Sequence, residues 1–143
     1  LLLAGKKDFT AEDVEAFAAI TCGPVADAGM RRAIERTDGL ARSMNFESLL
    51  AGRASDQRAL AENSRVPLAI VNGADDPIVN VAYIGSLSYQ NLWEGQCHVL
   101  SGVGHVPFLE APEAFNRILG RFVADMEKRA AEPAPPTRSR SAA

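Results

Sequence analysis

The stretch VPLAIVNG, from Val66 to Gly73, is the feature that most restricts the fold of this chain. It is a continuous apolar, β-rich run bounded by proline and glycine, which is typical of a strand buried on both faces of a sheet. A second strand is predicted from about Gln96 to Leu100, and a helical pattern follows each strand. The order strand, helix, strand, helix predicts a parallel α/β layer. Because two strands are too few for a stable parallel sheet, we expect the rest of the sheet to lie outside this sequence.

Residues 8 to about 64 have helical patterns. Thr10 and Asp13 have the spacing of a capping box, which predicts a helix start at FTAEDVEAFAAI. Further helices are predicted in ADAGMRRAIER, in MNFESLLAG closed by Gly52, and in SDQRALAENS with Ser55 as the N-cap. Short helices with modest apolar faces need another surface to pack on, so we interpret this segment as a cap or insertion.

The C-terminal part contains the strongest helical pattern, APEAFNRILGRFVADMEKRA, with Pro112 in its first turn. Its predicted apolar face consists of Phe115, Ile118, Leu119, Phe122 and Met126. Asn80 is the predicted N-cap of a shorter helix through VAYIGSL. Residues 131–143 are rich in proline, alanine and serine, which predicts a disordered tail.

Composition excludes several classes of function. The net charge of −3 over 143 residues offers no basic footprint for nucleic acid. No apolar run approaches the roughly 18 residues that a membrane span needs. Cys22 and Cys97 are far apart and fit buried thiols in a reducing compartment, so we expect a cytoplasmic protein. The chain opens LLLAGKK without an initiator methionine, which we interpret as a fragment or a processed product.

Two loops follow the carboxyl ends of the two predicted strands, where open α/β sheets place their sites. The first, NGADDPIV, contains Asp75 and Asp76, and the second, GVGHVPF, contains His105. A carboxylate from the first loop that met the imidazole would fix its tautomer and stabilise the imidazolium formed in general-base catalysis. Gly104 would let the backbone turn so that the ring points over the sheet.

The segments VPLAIVNGADDP and GVGHVPFLEAPEAFNRILGRF resemble the C-terminal part of the α/β-hydrolase superfamily, over roughly Val66 to Met126. In that family the acid follows the glycine that ends a strand by three residues, and the base stands in a Gly-His pair after the last strand. The resemblance therefore implies Asp76 as the catalytic acid and His105 as the base. It leaves Asp75 as a turn-forming residue beside Pro77.

The same resemblance implies the domain organisation. Residues 1–65 occupy the position of the family's helical lid, 66–130 the C-terminal part of the α/β core, and 131–143 the tail. The expected fold is thus α/β, a C-terminal fragment of an α/β-hydrolase with a helical lid, the last two parallel strands and the C-terminal helix.

The family's nucleophile stands on a G-x-S-x-G turn before the acid in the chain, and this sequence contains no such turn. The oxyanion-hole loop is missing as well. The resemblance thus implies a hydrolase whose nucleophile lies upstream of Leu1, and the 143 residues alone are expected to be inactive. The substrate would be small and ester-like or apolar, with no cofactor. Esterase, lactonase, carbon–carbon bond hydrolase, epoxide hydrolase and dehalogenase chemistry all stay open, as does the oligomeric state.

Three alternatives accompany this interpretation. The chain could be a non-catalytic binding module that keeps the scaffold. A metal site from Cys97, His98 and His105 is disfavoured, because adjacent strand residues point to opposite faces. A set of apolar residues either lines a substrate pocket or packs in the ordinary core: Met30, Met44, Phe46, Trp93, Val106 and Phe108.

Overall fold

The computed structural model describes residues 2–131 of the chain. The helices in this range are α1 (Ala11–Thr21), α2 (Ala28–Arg36), α3 (Gly39–Leu50), α4 (Gln57–Glu62), α5 (Val81–Ser86), α6 (Pro107–Glu110) and α7 (Pro112–Ala131), and the strands are β1 (Val71–Gly73) and β2 (His98–Leu100). Short 3₁₀ turns cover Leu2–Gly5, Gly23–Val25 and Trp93–Gly95. None of the helices in this range is long and apolar enough to cross a membrane.

The predicted tail meets the described residues only at Ala131, which is the last residue of α7 and not part of a disordered segment. The remainder of that prediction, 132–143, lies outside the described residues. The chain changes from helices to strands between Glu62 and Val71, near the predicted domain boundary at residue 65. The assignment of 1–65 as a lid stays a prediction.

Each of the first four helices begins at a side chain that accepts a hydrogen bond from its own first turn. The Oγ1 of Thr10 accepts from the Asp13 N–H at 3.2 Å, and an Asp13 carboxylate oxygen accepts from the Thr10 N–H at 2.7 Å. This reciprocal pair confirms the predicted capping box. Asp27, Asp38 and Asp56 cap α2, α3 and α4 by accepting amide hydrogen bonds.

Two predicted helix starts are wrong, and in both cases an aspartate provides the cap. Helix α3 starts at Gly39, well before the predicted start at Met44, because Asp38 accepts from two amides of the first turn at 2.8 and 3.3 Å. Helix α4 is capped by Asp56 instead of Ser55. Aspartate, asparagine and serine are about equally good N-caps, so composition alone does not choose between neighbouring candidates.

Strands β1 and β2 form a parallel pair, as predicted, with Val71 opposite His98 and Gly73 opposite Leu100. Both strands are shorter than predicted. The chain leading to β2 makes the 3₁₀ turn at Trp93–Gly95, where Glu94 has a φ of 55°. This turn separates the pairing of β1 with β2 from an isolated β-bridge between Leu68 and Leu92, which lies earlier in both chain segments.

Strand β1 is less buried than its sequence predicts. Val71 and Asn72 are half-buried, and only Gly73 is fully buried. Within the described residues β2 is the only strand beside β1, so one edge of β1 has no strand to cover it. The described residues therefore bury less of β1 than expected for a strand in the middle of a sheet.

Helix α7 packs on this sheet through Trp93, which is only 2% exposed. The indole ring lies 5.6 Å from the Phe122 ring and 5.1 Å from the His98 ring, measured between centroids. Its Nε1 donates a hydrogen bond of 3.0 Å to an Asp125 carboxylate oxygen. The predicted apolar face of α7 is half-buried, except that Leu119 is 45% exposed.

The end of β1 is held against the loop that follows β2 by a close backbone approach. A Cβ placed on Gly73 would lie 2.1 Å from the carbonyl oxygen of Gly104 and 2.2 Å from that of Val103. The Asp75 N–H also donates to the Val103 carbonyl at 2.9 Å. Only glycine allows this contact, which brings together the two loops predicted to carry the site.

Thr10→Ala tests the first cap. The substitution leaves the Asp13 N–H without its acceptor, so we expect the free energy of unfolding to fall by about 0.5–2 kcal/mol. Chemical denaturation measures this quantity. Thr21→Ala at the other end of α1 is the control, because its hydroxyl donates to the Phe17 carbonyl within the helix and caps no amide. An equal loss in both variants would contradict the role of the capping box.

Candidate active site

Asp76 is fixed by its own backbone turn just after β1. One carboxylate oxygen accepts from the Ile78 N–H at 2.8 Å and from the Val79 N–H at 2.9 Å. This Asx-type turn leaves the side chain only 3% exposed. A buried carboxylate with two amide donors is held in a single orientation.

His105 lies in the loop after β2 and faces this carboxylate. Its Nδ1 is 2.9 Å from one Asp76 oxygen and 3.1 Å from the other. An acceptor-only carboxylate at this distance makes Nδ1 the protonated nitrogen of the neutral ring. The side chain is 31% exposed, and within residues 2–131 no hydrogen-bond partner faces Nε2. The ring therefore presents a basic nitrogen on the side away from the acid.

The pKa of the Asp76 carboxyl lies below its ordinary value of 3.8. Burial is the largest influence and acts to raise this pKa, because it disfavours the charged form. The amides of Val79 and Ile78, together with His105, outweigh burial by stabilising the carboxylate. Asp76 is thus ionised near neutral pH and can stabilise a positive charge on His105.

Asp75 occupies a different position from its neighbour. It is exposed, and its backbone N–H donates to the Val103 carbonyl. The structure therefore brings Asp76, and not Asp75, to His105.

A further side chain at the site, Glu110, was missed by the sequence analysis. Its carboxylate accepts from the Gly104 N–H at 2.9 Å and from the Val106 N–H at 3.1 Å. These two residues flank His105 in the chain. The available signal was the sequence VPFLE, in which a proline-started turn places a carboxylate four residues after its N-cap.

A cleft of about 280 Å³ lies beside His105. Its lining includes His105, Asp75 and Glu110 near the strand ends, together with Gly23 and Pro24 of the 3₁₀ turn after α1. The helical N-terminal segment thus contributes a wall to the space that the imidazole faces.

The remaining candidates lie elsewhere. His98 packs on Trp93 with its Nε2 3.5 Å from Glu94, and no group of three or more metal-ligating residues occurs among residues 2–131. Burial raises the pKa of the Cys97 thiol, which disfavours the reactive thiolate.

None of the six apolar candidates lines the cleft at His105. Phe108, for example, packs on Phe115 with ring centroids 6.0 Å apart.

Comparison with known proteins identifies structural neighbours. No family model and no curated protein matches the sequence. Among solved structures, the N-acyl homoserine lactonase AidH in complex with N-butanoyl homoserine is 40% identical, with a TM-score of 0.82. The match covers 87% of this chain and 45% of the lactonase.

Two variant structures of the same lactonase match equally well. One has a serine replaced by glycine and a TM-score of 0.82, and the other has a glutamate replaced by glycine and a TM-score of 0.83. Both are 40% identical to this chain, which spans 46% and 45% of them. The first is described as a complex with N-hexanoyl homoserine lactone and the second as a complex with N-hexanoyl homoserine. The chain therefore spans less than half the length of the lactonases it matches.

The lowered pKa of Asp76 predicts how stability depends on pH. Because the folded-state pKa lies below the unfolded value of about 3.9, the carboxylate stabilises the fold above that value. This contribution is lost as the pH falls through the folded-state pKa. Asp76→Asn is therefore expected to lower the free energy of unfolding more at pH 7 than at pH 3, as measured by chemical denaturation.

The control for this pH dependence is Asp75→Asn, because the Asp75 side chain is exposed. It should show a much smaller difference between the two pH values. A loss in Asp76→Asn that is the same at both pH values would contradict a stabilising charge at Asp76.

Proposed function

Because this chain is a member of the α/β-hydrolase superfamily and has the fold of its C-terminal part, we propose that it carries the acid and the base of a nucleophile–histidine–acid triad. Asp76 is the acid and His105 is the base. The observation that carries the proposal is the 2.9 Å contact between Nδ1 of His105 and a carboxylate oxygen of Asp76. A carboxylate on one ring nitrogen, with the other nitrogen turned away from it, is the arrangement that general-base catalysis requires.

The nucleophile of the proposed triad is a serine on a G-x-S-x-G turn outside these 143 residues, since the sequence contains no such turn. His105 accepts the serine proton through Nε2 as the serine oxygen attacks the substrate carbonyl. The Asp76 carboxylate stabilises the imidazolium that forms, and its lowered pKa keeps it charged during this step.

The proposed substrate is an N-acyl homoserine lactone with a short acyl chain. Support comes from the 40% identity to a lactonase whose structures are described with N-butanoyl homoserine and N-hexanoyl homoserine lactone. Serine attack on the lactone carbonyl breaks the ring C–O bond, and His105 returns its proton to the departing alkoxide. Water then attacks the acyl-enzyme, gives a proton to His105, and releases the ring-opened N-acyl homoserine as the serine recovers that proton. Atoms balance with water as the only co-reactant.

The cleft beside His105 is the proposed position of part of the substrate. It lies between the imidazole and the turn at Gly23 and Pro24, so a lactone held there would be within reach of the ring. The proposed reaction needs no cofactor, because the charge that develops is carried by the imidazolium and its carboxylate partner.

The test uses the protein expressed from its full coding sequence. Hydrolysis of N-hexanoyl homoserine lactone is followed by release of the ring-opened acid, measured by liquid chromatography. We expect Asp76→Asn to lower kcat by about 10⁴, by analogy with the serine protease triad, and His105→Ala to lower it at least as far. Asp75→Asn is the comparison variant and should change kcat far less, because Asp75 lines the same cleft but makes no hydrogen bond to His105 among the described residues.

Two outcomes would count against the proposal. Comparable losses in Asp76→Asn and Asp75→Asn would contradict the assignment of the acid. Binding of the lactone without turnover, unchanged in His105→Ala, would support the non-catalytic binding module instead.

A further inference from the structure

We propose that Glu110 is a positioning residue for His105: its carboxylate holds the backbone on both sides of the histidine and thereby sets where Nε2 points. This inference rests on the proposed function, because positioning matters only if His105 transfers protons. Glu110 itself touches neither the imidazole nor the acid in the contacts described above.

The first evidence is that the two carboxylate oxygens of Glu110 accept hydrogen bonds from different backbone amides. Oε2 accepts from the Gly104 N–H at 2.9 Å, and Oε1 accepts from the Val106 N–H at 3.1 Å. Each oxygen thus fixes one neighbour of His105. Hydrogen bonds of this kind to a charged acceptor are short and stronger than neutral ones.

The second evidence is that Glu110 accepts a hydrogen bond that helix capping does not require. Val106 is the N-cap of α6 and has no side chain that could accept from the helix, and the Glu110 N–H donates back to the Val106 carbonyl at 2.9 Å. The backbone bond belongs to the helix itself, so the contact from the Val106 N–H to the Glu110 side chain would alone only cap α6. The hydrogen bond from Gly104 is different, because Gly104 lies before the N-cap, on the far side of His105.

The third evidence is the glycine itself. A Cβ on Gly104 would lie 3.0 Å from Oε1 and 3.2 Å from Oε2 of Glu110, which is closer than ordinary side-chain contacts. The carbonyl oxygen of the same residue is the atom that approaches Gly73. The peptide before His105 is therefore held between β1 on one side and the Glu110 carboxylate on the other.

The expected consequence is a loss of turnover. The ring must place Nε2 within about 3 Å of the nucleophile, and a misplacement of about 1 Å can lower the rate about 10²-fold. Removing one of the two backbone anchors should therefore lower kcat by roughly 10- to 100-fold. Because Glu110 also lines the proposed substrate cleft, KM does not separate the two roles, and the distinguishing readout is the Nδ1 proton of His105.

The test compares three variants of the full-length protein. Glu110→Gln is nearly isosteric but can accept through only one of its two terminal atoms, so one backbone N–H loses its partner. Glu110→Asp keeps the charge on a shorter side chain that cannot span both amides. Glu113→Gln is the matched control, because Glu113 is exposed in the first turn of α7.

Two measurements accompany the lactone kinetics. Proton NMR of the His105 Nδ1–H, assigned by its absence in His105→Ala, reports the hydrogen bond to Asp76 without any need for hydrolysis. Thermal unfolding reports stability. We expect Glu110→Gln and Glu110→Asp to lower kcat and to speed exchange of the Nδ1 proton with water, while Glu113→Gln changes neither.

The outcomes separate this inference from the proposed function. A lower melting temperature with unchanged kcat and Nδ1 exchange would reduce Glu110 to a helix cap and overturn the inference. A lower kcat with unchanged Nδ1 exchange would also overturn it, because Glu110 would then act by another route. If the protein hydrolyses no lactone, the proposed function fails, but the NMR comparison still decides whether Glu110 positions the ring.

Discussion

The close approach of Gly73 to the carbonyl oxygens of Val103 and Gly104 is the contact on which the candidate site depends. It leaves no room for a Cβ, and it joins the ends of two parallel strands through backbone atoms alone. Asp76 follows this glycine closely in the chain, and His105 is the neighbour of Gly104. The 2.9 Å contact between the acid and the imidazole is therefore a consequence of how tightly two strand ends can pack. Their side chains then need only short loops to meet.

Two carboxylates hold the histidine in different ways. Asp76 contacts the ring at Nδ1 and is itself fixed by two backbone amides of its own turn. Glu110 contacts the backbone on either side of the ring and leaves the imidazole alone. One carboxylate thus controls the ring's tautomer and charge, and the other restrains the chain from which the ring projects. The nitrogen away from Asp76 keeps its freedom to exchange a proton.

The contact between Asp76 and His105 could be predicted because the two residues follow successive strands, and the strand ends of a parallel sheet meet at one edge. The capping box at Thr10 was predictable because its hydrogen bonds are local. The strand lengths were not, because they depend on the turn at Glu94 and on which strands lie beside β1. Glu110 was missed because its carboxylate serves backbone amides, so the only signal was its place four residues after the N-cap of a proline-started turn. The start of α3 was missed because Asp38, its N-cap, is followed by Gly39, and glycine is a poor helix former.

The hydrogen bonds around Glu110 join residues at most six positions apart, whereas the Asp76–His105 contact joins residues 29 positions apart. Closing the longer segment costs about 1.4 kcal/mol more chain entropy than closing the shorter one. The hydrogen bonds of Glu110 therefore need only local chain closure, whereas the contact between Asp76 and His105 also needs β1 and β2 to pair. One carboxylate of the site is thus held within seven consecutive residues, and the other reaches the histidine only through the pairing of the two strands.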